Sequence, residues 1–179
     1  MARFEILSGL PAYGPTAEAF SATGPGKHRE GFVVRFGANA ESEWVGNFQP
    51  GLGGLSGVFE HPNGTELIVI ASGRGYIVDP SSRQCSSTFG AHIQSAFEIQ
   101  DRRMIIFGNG LWFEAIGTSG RVWRSDRVSW DGMRNLSIDG LTLSGEAYDI
   151  SDNWVPFELD IASGNFTGGS YNGLQRRNR

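Results

Sequence analysis

The chain has 179 residues, enough for one domain with a real core and short for two, and its 15 basic and 19 acidic residues give a formal net charge of -4. Those charges are spread along the chain, so it lacks the basic footprint of a nucleic-acid or anionic-membrane binder. Its 26 glycines and 7 prolines favour an all-β fold with many tight turns over one built from helices.

A single cysteine, Cys85, excludes an intramolecular disulfide, and the opening Met1-Ala2-Arg3-Phe4-Glu5 lacks the apolar centre of a secretory leader. No apolar stretch approaches the length of a membrane span. The expectation is a cytoplasmic protein with a single all-β domain over 1–173 and a basic tail over 174–179, where Arg176, Arg177 and Arg179 fall.

In chain order, β-branched and aromatic runs separated by Gly, Pro, Asn, Asp and Ser predict about sixteen short antiparallel strands and no convincing helix. The first four are Phe4 to Leu7, Ala17 to Ala22, Phe32 to Phe36 and Glu43 to Phe48. The second four are Leu55 to Phe59, Glu66 to Ala71, Gly75 to Asp79 and Gln84 to Phe89. The third are Ile93 to Ile99, Arg103 to Phe107, Leu111 to Ile116 and Val122 to Arg127. The fourth are Asn135 to Ile138, Thr142 to Tyr148, Trp154 to Asp160 and Asn165 to Tyr171.

Set starts at Phe4, Leu55, Ile93 and Asn135 lie 51, 38 and 42 residues apart, which brackets the ~40 to 45 residues of a propeller blade. In the second and third sets the middle strands are unbroken apolar runs, as strands buried on both faces read, while the last strand is polar. A propeller blade has this gradient, since its outermost strand faces water. The pattern predicts a small four-bladed β-propeller-like repeat, with a closed β-barrel or β-sandwich as the alternative. Gly73, Gly75, Gly108 and Gly110 are expected in turns, at least one with positive φ.

The stretch Tyr76-Ile77-Val78-Asp79-Pro80-Ser81-Ser82-Arg83 resembles the strand-and-turn unit of quinoprotein-type β-propeller repeats. Phe113 to Gly120 and Phe157 to Gly164 are looser copies. The resemblance implies blade-like sheets. It implies no cofactor, because the regularly repeated Trp of quinoprotein blades is absent.

No residue cluster specifies a reaction. His28, His61 and His92 are far apart in sequence, and Asp149-Ile150-Ser151-Asp152-Asn153 lacks the spaced ligands of a calcium loop, so no metal site and no cofactor is expected. In the strand Gln84 to Phe89 nothing electropositive flanks Cys85 to activate it. Glu114 and Glu158, in similar places in two third strands, are the carboxylates to test for glycoside chemistry.

The densest polar and aromatic cluster is Arg121 to Arg134, and Trp with Arg is the pairing that dominates binding hot spots. In a four-blade arrangement Trp130, Asp131 and Arg134 would share a loop face with His28, Arg74 and Asn109. The sequence therefore predicts a non-catalytic binding or protein-interaction module using those six residues, with another protein or a polar small molecule as partner. A small hydrolase acting on a saccharide or other polar substrate is one alternative. A structural subunit of an assembly, or an inhibitor of another protein, is the other.

Overall fold

The computed structural model describes residues 3–22, 29–37 and 42–171. They form sixteen strands in four separate four-stranded sheets, one after another along the chain, with no closure into a barrel. Sheet 1 holds β1 (Phe4–Leu7), β2 (Glu18–Phe20), β3 (Phe32–Phe36) and β4 (Trp44–Phe48), and sheet 2 holds β5 (Gly57–Glu60), β6 (Leu67–Ala71), β7 (Arg74–Asp79) and β8 (Gln84–Phe89). Sheet 3 holds β9 (Ser95–Ile99), β10 (Met104–Gly108), β11 (Phe113–Gly117) and β12 (Gly120–Arg124). Sheet 4 holds β13 (Met133–Asp139), β14 (Thr142–Tyr148), β15 (Trp154–Asp160) and β16 (Phe166–Gly168).

Sheets 2, 3 and 4 are antiparallel meanders in chain order, the arrangement of a propeller blade. Sheet 1 departs from it: its order is β1-β3-β4-β2, and β2 pairs parallel to β4 through Glu18↔Gly46 to Phe20↔Phe48. A tight hairpin cannot join parallel neighbours, and here β3 lies between β2 and β4 in the chain. The remaining non-strand element is one 3-10 turn, Gln100–Arg102.

The chain divides into two compact units, Met1–Ile93 with sheets 1 and 2 and Gln94–Arg179 with sheets 3 and 4. In the first unit Val34, Phe36, Trp44 and Phe48 of sheet 1 pack against Leu67, Val69, Tyr76 and Val78 of sheet 2. In the second, Met104, Ile106, Phe113 and Ala115 of sheet 3 pack against Leu143, Ala147, Phe157 and Leu159 of sheet 4. Strands β6 and β10 are buried along their whole length, so their apolar runs are covered on both faces. The outer strands β8 and β12 stay largely exposed, as their polar sequences require.

Each unit is clasped by an indole. Trp44 Nε1 donates to the carbonyl of Pro80 at 2.9 Å, and Trp123 Nε1 donates to that of Ile161 at 3.0 Å. Both acceptors follow an aspartate that organises a turn. Asp79 accepts from Ser81 N at 2.8 Å and Ser82 Oγ at 2.8 Å, and Asp160 accepts from Ala162 N at 3.0 Å and Ser163 Oγ at 2.7 Å. Each turn closes on a left-handed residue, Arg83 at φ 59 and Gly164 at φ 76. At Gly164 the need is double, because a Cβ there would lie 2.5 Å from the Trp123 ring.

The β6–β7 hairpin turns through Ser72 (φ 42) and Gly73 (φ 82), two consecutive positive φ values, as the right-handed twist of the flanking strands prefers. Gly110 is also left-handed, at φ 84. Gly75 and Gly108, expected in turns, lie inside β7 and β10 instead. What they provide is room: an added Cβ would come within 2.4 Å of the Phe89 ring at Gly75 and 2.8 Å of the Phe113 ring at Gly108.

Candidate interaction surface

Between β12 and β13 the backbone is tied down on both sides. Val128 N donates to Leu111 O at 2.8 Å, while Ser170 N and Tyr171 N donate to Val128 O at 3.0 and 3.1 Å. Ser129 is buried, and its hydroxyl donates to Gly132 O at 2.6 Å, closing a turn with Gly132 at φ 93. The two residues inside that turn, Trp130 and Asp131, are forced outward, and Trp130 is 38% exposed. Had its ring plugged the core, the segment would be simple packing.

The exposed ring is held in a fixed frame. Tyr171 meets it edge to face at 4.9 Å between centroids. Arg127 donates to the carbonyls of Ser129 at 2.8 Å and Trp130 at 2.6 Å, placing its guanidinium 5.4 Å from the Trp130 centroid and 4.6 Å from that of Tyr171. Asp126, Arg127, Phe166 and Tyr171 line a recess of about 440 Å³ beside them.

The loop between β14 and β15 joins the same end of this unit, since Trp130 N donates to Tyr148 O and Tyr148 N to Gly132 O, at 3.2 and 3.0 Å. Tyr148 lies edge to face on Trp154 at 5.1 Å and its hydroxyl donates to Asp152. That hydrogen bond, with burial and the charges of Asp152 and Asp131 behind it, raises the Tyr148 pKa. Asp149 and Asp152 are thereby occupied in a turn, Asp149 accepting from Ile150 N at 2.7 Å. Among the described residues no group of three His, Cys, Asp or Glu side chains is placed to hold a metal.

The other expected site residues separate. Arg134 is in strand β13, not a loop. It pairs with Glu146 at 2.8 Å and lies 4.1 Å over the Trp154 ring, and with Asn135 it holds the Glu146 carboxyl below its ordinary range. Asn109 shapes its own turn, accepting from Leu111 N and Trp112 N at 3.0 and 2.9 Å, and that turn reaches the Trp130 loop through Gly132 N donating to Gly110 O at 3.1 Å. Arg74 is half-buried in β7 of the first unit, and its buried Nε has no hydrogen bond among the described residues. His28 lies outside the described residues.

Sequence reasoning missed the extent of Arg–Trp stacking: Arg124 also sits 4.2 Å over Trp112. Three tryptophans, Trp112, Trp130 and Trp154, thus carry a guanidinium, while Trp44 and Trp123 spend their indole N–H on the clasps.

Glu114 and Glu158 cannot act as a catalytic pair. Each is flanked by residues of the core between sheets 3 and 4, Phe113 and Ala115 for one and Phe157 and Leu159 for the other, so each carboxylate points away from that core. Stacked sheets are about 10 Å apart, and outward side chains widen the gap past the roughly 5 to 9.5 Å of glycosidase pairs. Glu114 is half-buried and desolvation raises its pKa against the lowering effect of Arg121 and Arg124.

No family model matches the chain, and no curated protein does. Among solved structures, one described as "Crystal structure of the eukaryotic initiation factor" is similar over 78% of this chain at 10% identity, with a TM-score of 0.42. The chain covers 40% of that structure's length. No helix among the described residues is long and apolar enough to cross a membrane.

Proposed function

We propose that the chain is a non-catalytic interaction module whose second unit presents Trp130, with Tyr171, Arg127 and Asp131, to another protein. The observation that carries this reading is a tryptophan 38% exposed on a loop whose backbone is pinned on both sides. An exposed aromatic costs solvation and adds nothing to the core, whereas a ring already fixed by an arginine and a tyrosine loses little side-chain entropy when a partner covers it. Trp, Tyr and Arg are the side chains most often found at the energetic centre of interfaces.

The test is a photo-crosslinking residue at exposed position 151 of the neighbouring loop, with the same residue at exposed position 86 of the first unit as control, in cells that make the protein. The expected result is a discrete adduct from position 151, competed by excess wild-type chain and not by the Trp130→Ala chain. No adduct, or equal competition by the Trp130→Ala chain, would overturn the reading.

A further inference from the structure

We infer that the partner meets the Trp130 surface with a basic segment carrying at least two Arg or Lys side chains. This rests on the interaction role proposed for that surface and names the chemistry it selects. The two loops that build it, 125–132 and 148–153, hold four carboxylates, Asp126, Asp131, Asp149 and Asp152, and one guanidinium, Arg127. Arg127 is already committed to the carbonyls of Ser129 and Trp130. Asp126 and Asp131, on either side of Trp130 in sequence, are exposed, and neither carboxylate has a hydrogen bond or ion pair among the described residues.

Both chemistries of the surface favour a cation. Arg127 lies over one side of the Trp130 and Tyr171 rings, and the part of the Trp130 ring left exposed is a π surface on which a second arginine can stack. The exposed carboxylates of Asp126 and Asp131 add charge complementarity that selects against acidic partners. Isolated exposed ion pairs contribute little, so one basic residue would not suffice; at least two, spaced to reach Asp126 and Asp131 with a ring contact between them, match the arrangement. Ile150, 71% exposed on the neighbouring loop, gives such a segment an apolar contact at the edge.

The test uses the intact chain and a fluorescent peptide of alternating Arg, Gly and Ser, read by anisotropy at low salt, against the same peptide with Glu in place of Arg. The Arg peptide should bind and the Glu peptide should not. Asp131→Asn should weaken binding roughly two- to fivefold and the double change Asp126→Asn, Asp131→Asn by about tenfold. Asp101→Asn removes an equal charge from the 3-10 turn and should change nothing. Circular dichroism confirms that each variant is folded.

Equal binding of the Glu peptide, or equal effects of Asp101→Asn and Asp131→Asn, would overturn the inference. So would binding that appears only after removal of residues 172–179 and is competed by a peptide of that sequence, since the occupant would then be the chain's own arginines. If the position-151 adduct forms but the Arg peptide fails to compete with it, the interaction role stands and the basic partner falls. If no adduct forms, the interaction role itself falls.

Discussion

At the scale of single residues, the five tryptophans divide by the fate of their indole N–H. Trp44 and Trp123 donate it to a carbonyl of the partner sheet, so Trp44→Phe or Trp123→Phe keeps a ring while leaving Pro80 O or Ile161 O without its donor. Each change should cost about 1 kcal/mol in urea denaturation, the net contribution of one part-buried hydrogen bond. Ile106→Ala, at a position with no exposure, should cost about 2 to 5 kcal/mol by the same measurement. Glu114 works in the opposite sense. Its folded pKa is raised by desolvation, so its carboxyl favours the fold below the unfolded value, and that contribution is lost as pH rises through the folded one. Glu114→Gln should therefore raise the melting temperature at neutral pH and leave it nearly unchanged below about pH 4. Trp130 was legible as an exposed residue because Ser129-Trp130-Asp131-Gly132 has the chemistry of a turn. The clasps were not, because Trp44 opens a central strand and Trp123 lies in an outer one, and no regular spacing links them.

At the scale of elements, the strands with unbroken apolar runs were legible almost to the residue, because burial on both faces leaves no polar positions to confuse the pattern. Strand β2 was legible as a strand but not in its partner, since local sequence does not encode which edge a crossover reaches. The two aspartate turns are sensitive to acid. Hydrogen bonds from Ser81 and Ser82 lower the Asp79 pKa, and those from Ser163 and Ala162 lower that of Asp160. Their stabilisation is present above the unfolded carboxyl pKa and is lost as pH falls through the folded one. Asp160→Ala should lower the melting temperature at pH 7, and the gap from wild type should close as pH drops below about 4. A gap that stays constant across the acid range would show that the turn does not depend on the ionised carboxylate.

At the scale of the whole molecule, the chain reads as two successive two-sheet units, each closed by one indole on the carbonyl after a turn-forming aspartate. Four sets of four strands were legible from spacing and polarity; the division into two units was not, because it depends on which sheet faces share a core. The same holds for the surface around Trp130. Asn109, Trp130 and Tyr148 come together through backbone bonds between loops far apart in sequence, whereas the side chain of Arg134 belongs to the face of its own sheet. The central claim is that two tryptophans clasp the units while the other three carry an arginine over the ring, Trp130 among them exposed. Indole N–H signals in a proton–nitrogen NMR spectrum, followed after transfer to heavy water and assigned by single Trp→Phe changes, test it directly. The account requires the signals of Trp44 and Trp123 to persist and that of Trp130 to exchange quickly. A protected Trp130 signal, or rapid loss of the Trp44 and Trp123 signals, would contradict it.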